Sequence, residues 1–174
     1  MISIKKATTD DSKIIAEIGR VSVGEAHRES CEAKHLDEYL DKNYNRIAIG
    51  HELNNPENIY HIIYYNEEPV GFSKIVLDAQ HPNIRDERVT KLDRIYLLKE
   101  FQGLKLGREL LDFNIRLSQD HGQRGLWLFT WVGNQQAIDF YHRAGFKIVG
   151  SHDFYITPTH SNPNHQMYLS LHEK

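Results

Sequence analysis

Hydrophobic and polar positions alternate at the start of the chain and then change period. Residues 2–7 alternate, which predicts a strand, and the polar cluster at 8–12 offers a helix cap. Apolar residues between 14 and 21 then recur at steps of three and four, so the first helix should follow. Residues 25–54 are richly charged with sparse apolar positions, and they predict short helices that end at Asn54-Asn55-Pro56.

The middle of the chain predicts strands. Residues 59–65 and 69–78 are rich in β-branched and aromatic side chains, and the polar turn between them predicts a hairpin. A further strand is expected over 89–98. The second half of the chain then predicts a helix with apolar positions 106, 110, 113 and 117, a buried strand at 126–132, a helix at 134–144 closed by Gly145, and strands at 147–156 and 165–171 around a loop rich in Pro, Asn and His.

The order of these elements predicts the fold class. Antiparallel strands come first, and strand–helix–strand–helix follows, which is typical of a mixed α/β layer fold. Neither a linker nor an internal repeat interrupts the 174 residues, so we expect a single domain over 1–174.

Composition narrows the class of protein. With 40% hydrophobic and 26% charged residues, the chain is not of the disordered class, and a net charge of -3 gives no overall attraction to nucleic acid or to an anionic membrane. The single Cys31 excludes an intrachain disulfide and a cysteine-rich zinc site. No run approaches the ~20 apolar residues of a membrane helix, and no apolar segment near Met1 resembles a secretory signal. We therefore expect a cytoplasmic protein.

The segment 95–108 is the first that indicates a ligand-binding site. A predicted strand ends there, a loop with Gly103, Lys105 and Gly107 follows, and a helix begins. The first N–H groups of a helix lack intrahelical acceptors and lie at the positive end of its dipole, so such a loop favours a phosphate or pyrophosphate. Glycine in a strand–helix turn also serves packing alone, and for this segment by itself that alternative stays open.

A second segment, 134–146, also matches a known pattern. Together the two segments resemble the GNAT superfamily of acyl-coenzyme A N-acyltransferases. Gln102 and Gly107 match the outer positions of that family's pyrophosphate motif, Q/R-x-x-G-x-G/A. The second segment resembles N-x-x-A-x-x-F-Y-x-x-x-G-F and matches it at Asn134, Ala137, Phe140, Tyr141, Gly145 and Phe146. The resemblance implies the GNAT fold, a twisted and mostly antiparallel central sheet flanked by helices.

Two positions of the first motif depart from the family pattern. Gln102 stands in place of the commoner arginine, and Lys105 replaces the middle glycine. A lysine can donate its backbone N–H to a phosphate, but a positive φ is costly for it. We expect the charge of Lys105 to compensate.

The resemblance assigns the coenzyme-binding residues, with acetyl-coenzyme A as co-substrate and no metal. The backbone of Ile95, Tyr96 and Leu97 would hold the pantetheine and the acetyl carbonyl, and the Leu97 N–H would stabilise the oxyanion. Asn134 would contact the pantetheine arm, and Arg143 a coenzyme phosphate. The pyrophosphate would lie on Gln102, Gly103, Leu104, Lys105, Leu106, Gly107 and Arg108.

The resemblance also implies the general acid, and the chemistry of amine attack requires a base. Tyr141 would donate a proton to the coenzyme sulfur, although an aromatic side chain on an apolar helix face is usually a core residue. A protonated amine must lose a proton before it attacks, and Asp93 is our candidate for the base. A plain salt bridge of Asp93 with Lys91 or Arg94 is an equal alternative, and His152 is a second candidate.

Within the superfamily, segments 92–96, 101–102 and 150–155 are similar to the bacterial PaiA-type spermidine/spermine acetyltransferases. This similarity implies a small cationic amine as acceptor. The acidic residues that would line its site are Glu25, Glu29, Glu32, Asp37, Glu38 and Asp41. A solvated helix face is the alternative explanation for these carboxylates.

The predicted function is direct transfer of an acetyl group from acetyl-coenzyme A to the primary amine of a polyamine-like acceptor. Transfer to a protein or peptide N-terminus and a non-catalytic, regulatory coenzyme-binding module stay as alternatives. We expect a small-molecule partner, no nucleic acid and no membrane, and leave a homodimer open. The eleven histidines lack metal-ligand spacing, and the alternating Trp127, Phe129 and Trp131 favour core packing over base stacking.

Overall fold

The computed structural model describes residues 1–172. Its strands are β1 (Ile2–Lys6), β2 (Ile59–Tyr65), β3 (Glu68–Val76), β4 (Val89–Leu97), β5 (Gly125–Trp131), β6 (Lys147–Thr157) and β7 (His160–Ser170). Its α-helices are α1 (Ser12–His27), α2 (Ala33–Asn43), α3 (Arg46–Asn54), α4 (Leu106–Asp120) and α5 (Gln135–Arg143). Single turns of 3-10 helix lie at Thr9–Asp11 and Lys99–Phe101.

The strands form a mixed sheet in the order β1-β2-β3-β4-β5-β7-β6 across the described residues. The sheet is mostly antiparallel, and β4 and β5 are a parallel pair. The fold class predicted from the sequence is therefore confirmed.

The described chain divides into two compact units. The first unit comprises Met1–Ile75 and Arg94–Asn114, and the second comprises Val76–Asp93 and the described residues from Ile115 onward. The chain passes from one unit to the other three times, at the end of β3, within β4 and within α4. A single domain over 1–174 stays a prediction.

The first unit is built on the β2–β3 hairpin. Its turn places Asn66 at φ 49° and Glu67 at φ 68°, the two left-handed residues of a tight hairpin turn, and Ile62 pairs with Phe72. Ile62 and Phe72 belong to a hydrophobic core that the hairpin forms with α1, α2 and α3. Its fully buried members also include Ile15, Tyr44, Ile49 and Tyr60. This core is tight: a Cβ added to Gly19 would lie 2.2 Å from the Tyr44 ring.

The second unit is built on the β6–β7 hairpin and β5. The parallel ladder of β4 and β5 covers Val89–Lys91 and Gly125–Trp127, and β5 then pairs with β7 along its whole length. Gly145 follows α5 with a positive φ, as the sequence pattern predicts, and Gly122 follows α4 in the same way.

One predicted boundary is wrong. Residues 160–164, expected in a loop, belong to β7, and Phe154 pairs with Asn162 and Asp153 with Pro163. The turn is confined to Pro158 and Thr159, because the Thr157 hydroxyl accepts hydrogen bonds from the N–H groups of Thr159 and His160. Cross-strand pairing outweighs the low strand propensity of Asn and Pro.

No α-helix among residues 1–172 is long and apolar enough to cross a membrane.

Candidate active site

The end of β4 presents backbone groups to the edge opposite β3. The Leu98 N–H donates to the Val70 carbonyl oxygen at 2.9 Å. Successive residues of a strand direct their N–H groups to opposite edges, so the Leu97 N–H is directed away from β3. The Leu97 N–H is therefore not used in pairing with β3.

The loop between β4 and α4 has a left-handed backbone at position 105, where the family motif has its middle glycine, and also at Gly103. Gly103 has φ 85° and Lys105 has φ 63°. Lysine occupies this region at a cost of roughly 1–2 kcal/mol, because its Cβ crowds the following carbonyl. The loop therefore keeps the left-handed conformation at position 105 in spite of this cost, and it carries a cation where the family motif has glycine.

Lys105 is also the residue directly before α4. Its carbonyl oxygen accepts the first helical hydrogen bond, from the Glu109 N–H at 3.0 Å. A lysine side chain has no acceptor and cannot cap the N–H groups of the first turn as Ser, Thr, Asp or Asn would. Those N–H groups and the helix dipole remain directed at the loop, which suits an anionic ligand.

The side chains of this loop divide into two groups. Leu106 is fully buried and anchors the helix, whereas Gln102, Leu104, Lys105 and Arg108 are exposed. Arg108 forms an ion pair with Asp112, four residues later on α4: its Nε lies 2.9 Å from Asp112 Oδ1. Such an exposed pair contributes only about 0–1 kcal/mol, so the guanidinium can exchange it for a phosphate.

In the second unit, α5 positions three predicted residues. Asn134 caps the helix, and its Oδ1 accepts from the Ala137 N–H at 3.1 Å. Arg143 is exposed in the last turn. Tyr141 faces inward, where its ring packs edge-on against Phe140 and Phe146 at centroid distances of 5.3 and 5.6 Å.

Tyr141 combines a buried ring with an unused hydroxyl. The residue is 8% exposed, and its hydroxyl makes no hydrogen bond to any residue within 1–172. Burial raises the pKa of the Tyr141 phenol well above its usual range, so the proton stays on the oxygen. The ring therefore belongs to the core, while the hydroxyl has no hydrogen-bond partner among the described residues.

Asp93 forms the ion pair that the sequence offered as an alternative to catalysis. Its Oδ1 lies 3.0 Å from the Lys91 ammonium on the same strand. His152, the second candidate base, is exposed on β6 and stacks on Phe129 with a centroid distance of 4.4 Å.

The acidic residues proposed to line an amine site lie mostly on a solvated face. Glu29, Glu32 and Asp37 are exposed, Glu38 lies 4.0 Å from Lys34, and Asp41 pairs with Arg20 at 2.8 Å. The alternative explanation therefore describes these residues. Glu25 differs from them, because its Oε2 is buried without a hydrogen-bond partner among the described residues.

Sequence reasoning missed a buried polar cluster in the first unit. Glu52 Oε2 lies 2.7 Å from the Lys74 ammonium and accepts a hydrogen bond from the Tyr60 hydroxyl at 3.1 Å. Arg94 donates to the Tyr60 hydroxyl at 2.9 Å, and its guanidinium lies 5.1 Å from the centroid of the Tyr44 ring. These residues are far apart in the chain, so no spacing in the sequence indicates the cluster.

Glu52 is held as a carboxylate in this cluster. Burial by itself would raise its pKa, but the hydrogen bond from Lys74 and the charge of Arg94 outweigh burial and lower the pKa of Glu52 below its ordinary value. A carboxylate so engaged is a poor proton acceptor, and it positions the two cations beside β4. Among residues 1–172, no group of three His, Cys, Asp or Glu side chains is arranged to hold a metal.

The comparison with protein families decides the family. The model of the "Acetyltransferase (GNAT) family" matches residues 20–146, most of the chain, and includes both motif segments. The chain belongs to the GNAT acetyltransferase family. It is therefore an acyltransferase of the N-acetyltransferase type, and members of this family use acetyl-coenzyme A.

Known GNAT proteins resemble the chain over different lengths. An uncharacterized N-acetyltransferase from the pepI 3′ region of Lactobacillus delbrueckii subsp. lactis is 26% identical over 154 residues, 88% of each protein. The spermine/spermidine N(1)-acetyltransferase of Bacillus subtilis strain 168 is 29% identical over 93 residues, which are 53% of this chain and 61% of that protein.

Among solved structures, the PaiA N-acetyltransferase of Thermoplasma acidophilum in complex with coenzyme A has the same fold. The TM-score is 0.76 at 19% sequence identity, and the match covers 98% of this chain and 99% of the other. The GNAT fold predicted from the sequence is confirmed.

Proposed function

We propose that the protein transfers the acetyl group of acetyl-coenzyme A directly to the primary amine of a small acceptor. The observation that carries this proposal is the start of α4, where Gly103 and Lys105 are left-handed and Lys105 provides no side-chain cap. In a GNAT protein, this geometry supports a pyrophosphate bound by the backbone N–H groups of 106–108 and by the charges of Lys105 and Arg108.

The remaining coenzyme contacts are proposals from the family resemblance. The backbone of Ile95–Leu97 holds the pantetheine and the thioester, and the side chains of Asn134 and Arg143 contact the pantetheine arm and a phosphate. The Asn134 Oδ1 already accepts the hydrogen bond from the Ala137 N–H, so the side-chain amide N–H groups are the donors left for the pantetheine.

We assign the proton transfers to Asp93 and Tyr141. The acceptor ammonium gives one proton to Asp93, which later releases it to water. The neutral amine attacks the thioester, the Leu97 N–H stabilises the oxyanion, a C–N bond forms and the C–S bond breaks. Tyr141 protonates the departing thiolate and regains a proton from the amide nitrogen, which balances the reaction.

For the acceptor, a polyamine-like amine is our first candidate. The similarity to a spermine/spermidine acetyltransferase over 93 residues supports it. The alternatives, a protein or peptide N-terminus and a non-catalytic regulatory module, follow from the same fold. The cytoplasmic location and the homodimer stay predictions of the sequence.

Coenzyme binding tests the proposal first. Acetyl-coenzyme A should bind and raise the melting temperature by mass action on the folded state. S-acetylpantetheine, which lacks the pyrophosphate, should bind much more weakly in calorimetry. Equal affinity for the two compounds would contradict the role of the α4 loop.

A thiol-release screen then tests the acceptor class. We expect release of coenzyme thiol with spermidine and other alkylamines, and little with amino acids or with peptides that carry a free N-terminus. Release with the peptides alone would support the N-terminal alternative. Tight coenzyme binding without release for any acceptor would support the regulatory module.

A further inference from the structure

An ammonium, a carboxylate and two aromatic rings meet on one surface of the second unit. The Lys91 ammonium lies 3.0 Å from Asp93 Oδ1 and 5.2 and 5.4 Å from the ring centroids of Trp127 and Phe129. We call these four residues the alkylammonium site. Aromatic faces together with a carboxylate form the chemical environment in which proteins bind organic ammonium groups.

The rings of the site continue into two histidines. His81 lies 5.0 Å from Trp127 and 6.0 Å from Phe129 between ring centroids, and His152 stacks on Phe129 at 4.4 Å. A hydrogen bond fixes the orientation of the Trp127 ring, because the indole N–H donates to the Ala79 carbonyl oxygen at 2.7 Å. The Trp127 ring is therefore held in place before any ligand binds.

The site is accessible from solvent. The side chains of Lys91 and Asp93 are 29% and 23% exposed, Phe129 is half-buried and His152 is exposed. The prediction of core packing is confirmed for Trp127, which is 4% exposed, but Phe129 also contributes to a surface that a small cation can reach.

The ammonium that occupies the site is that of Lys91, a residue of the protein itself. A lysine side chain is an aminobutyl group, the same chemical group that ends a primary alkylamine or a diamine. An incoming primary ammonium makes the same ion pair and ring contacts that the Lys91 ammonium gives up, so the exchange replaces one alkylammonium group by another. The flexible lysine stem lets its own ammonium turn into solvent.

We propose that the acceptor's primary ammonium binds at the alkylammonium site in place of Lys91. The proposal rests on the proposed function and makes it more specific: the acceptor is a primary alkylamine, the rings of Trp127 and Phe129 bind its ammonium, and Asp93 both pairs with the ammonium and takes its proton. Lys91 then acts as an internal competitor that keeps the site filled when no acceptor is bound.

Binding of butylamine and 1,4-diaminobutane tests the proposal without any turnover. Because Lys91→Met removes the competing ammonium but keeps the length of the side chain, it should lower the Kd of both amines at least threefold in calorimetry. Phe129→Leu removes one aromatic face and should raise both Kd values at least threefold. The double variant should lose the gain of Lys91→Met.

The controls separate recognition from folding. Lys13→Met removes an exposed lysine of α1, whose ammonium lies 3.7 Å from Glu17, and should leave amine binding unchanged. Lys91→Gln repeats the loss of charge if Lys91→Met folds poorly, and melting temperatures report folding for every variant. A purely structural Lys91–Asp93 clamp predicts a lower melting temperature with unchanged or weaker amine binding, and that result overturns the proposal.

A failure of the alkylammonium site can be distinguished from a failure of the proposed acetyl transfer. Absence of acetyl transfer to any amine contradicts the enzyme's assigned acceptor, whereas the opposite responses of Lys91→Met and Phe129→Leu in amine binding decide the alkylammonium site by themselves. If neither amine binds to the wild-type protein or to Lys91→Met, the site is overturned as well.

Discussion

At the scale of single residues, Tyr141 presents a test in which folding and chemistry separate. The ring is part of the core, but the hydroxyl has no hydrogen-bond partner within 1–172. Tyr141→Phe should therefore leave the melting temperature nearly unchanged. If the phenol protonates the thiolate, turnover should fall by roughly 10²–10⁴, with little change in coenzyme affinity.

Tyr155→Phe is the matched control, because Tyr155 is 63% exposed on β6 and loses the same hydroxyl. Turnover of Tyr141→Phe within about twofold of wild type, when chemistry limits the rate, would assign Tyr141 to the core alone; general acid catalysis should produce a far larger effect.

Lys105 offers a second test at this scale, since its charge and its backbone conformation can be changed separately. Lys105→Ala and Lys105→Gly both remove the ammonium, but only glycine adopts a φ of 63° without strain. We expect the free energy of unfolding of Lys105→Gly to be about 1 kcal/mol higher than that of Lys105→Ala, as measured by denaturant titration.

Both Lys105 variants should bind coenzyme more weakly than wild type at low salt, and the difference should shrink at high salt, where the charge is screened. Lys105→Gly should lose less affinity than Lys105→Ala. A dissociation constant for Lys105→Ala equal to that of wild type would place the ammonium in solvent rather than on the pyrophosphate.

At the scale of elements, the packing of α1 against Tyr44 can be tested with two glycines in helices. Alanine is favoured over glycine in a helix by about 1 kcal/mol. At Gly50 in α3 an added Cβ meets nothing within 4 Å, whereas at Gly19 it would lie 2.2 Å from the Tyr44 ring. Gly50→Ala should therefore stabilise the protein, and Gly19→Ala should destabilise it by about 1–2 kcal/mol.

Denaturant unfolding of both glycine variants gives the comparison directly. Tyr44 also lies under the Arg94 guanidinium, so a shift of its ring in Gly19→Ala should disturb the polar cluster that Arg94 shares with Tyr60 and Glu52. Equal stability changes for the two variants would show that α1 moves to accommodate the Cβ.

At the scale of the whole molecule, His61 makes stability depend on pH. His61 is 6% exposed and packs against the Phe113 ring at 4.7 Å, and burial, with a smaller effect of the Lys6 charge, lowers the pKa of His61 to about 4. Between about pH 6.5 and 4 the unfolded chain binds a proton at this histidine that the folded chain does not, so stability falls as pH decreases.

The expected loss from His61 is about 2 kcal/mol between pH 8 and pH 5. Burial also lowers the pKa of His27, which adds a loss of the same sign. His61→Phe should have a flatter stability profile across this range, measured by urea unfolding at several pH values. A profile identical to that of wild type would mean that His61 titrates in the folded protein as it does in the unfolded chain.

Much of this protein follows from local sequence. The helical spacing around α1 and α4, the hairpin at 59–76, the glycine ends of α4 and α5, and the two family motifs are all encoded in contiguous residues, because backbone propensity and motif chemistry act over short distances. Periodicity and motif matching are therefore enough to predict the fold class and the family.

Other features depend on residues that only the fold brings together. Glu52, Lys74 and Arg94 meet through strand register and helix packing, and Lys91 lies over Trp127 because β4 and β5 pair in parallel at those residues. A shift of one residue in register would move each side chain to the opposite face. The sequence by itself thus determines an acetyltransferase of the GNAT family, whereas the tertiary structure decides that Lys105 is left-handed and which side chains meet around Glu52 and around Lys91.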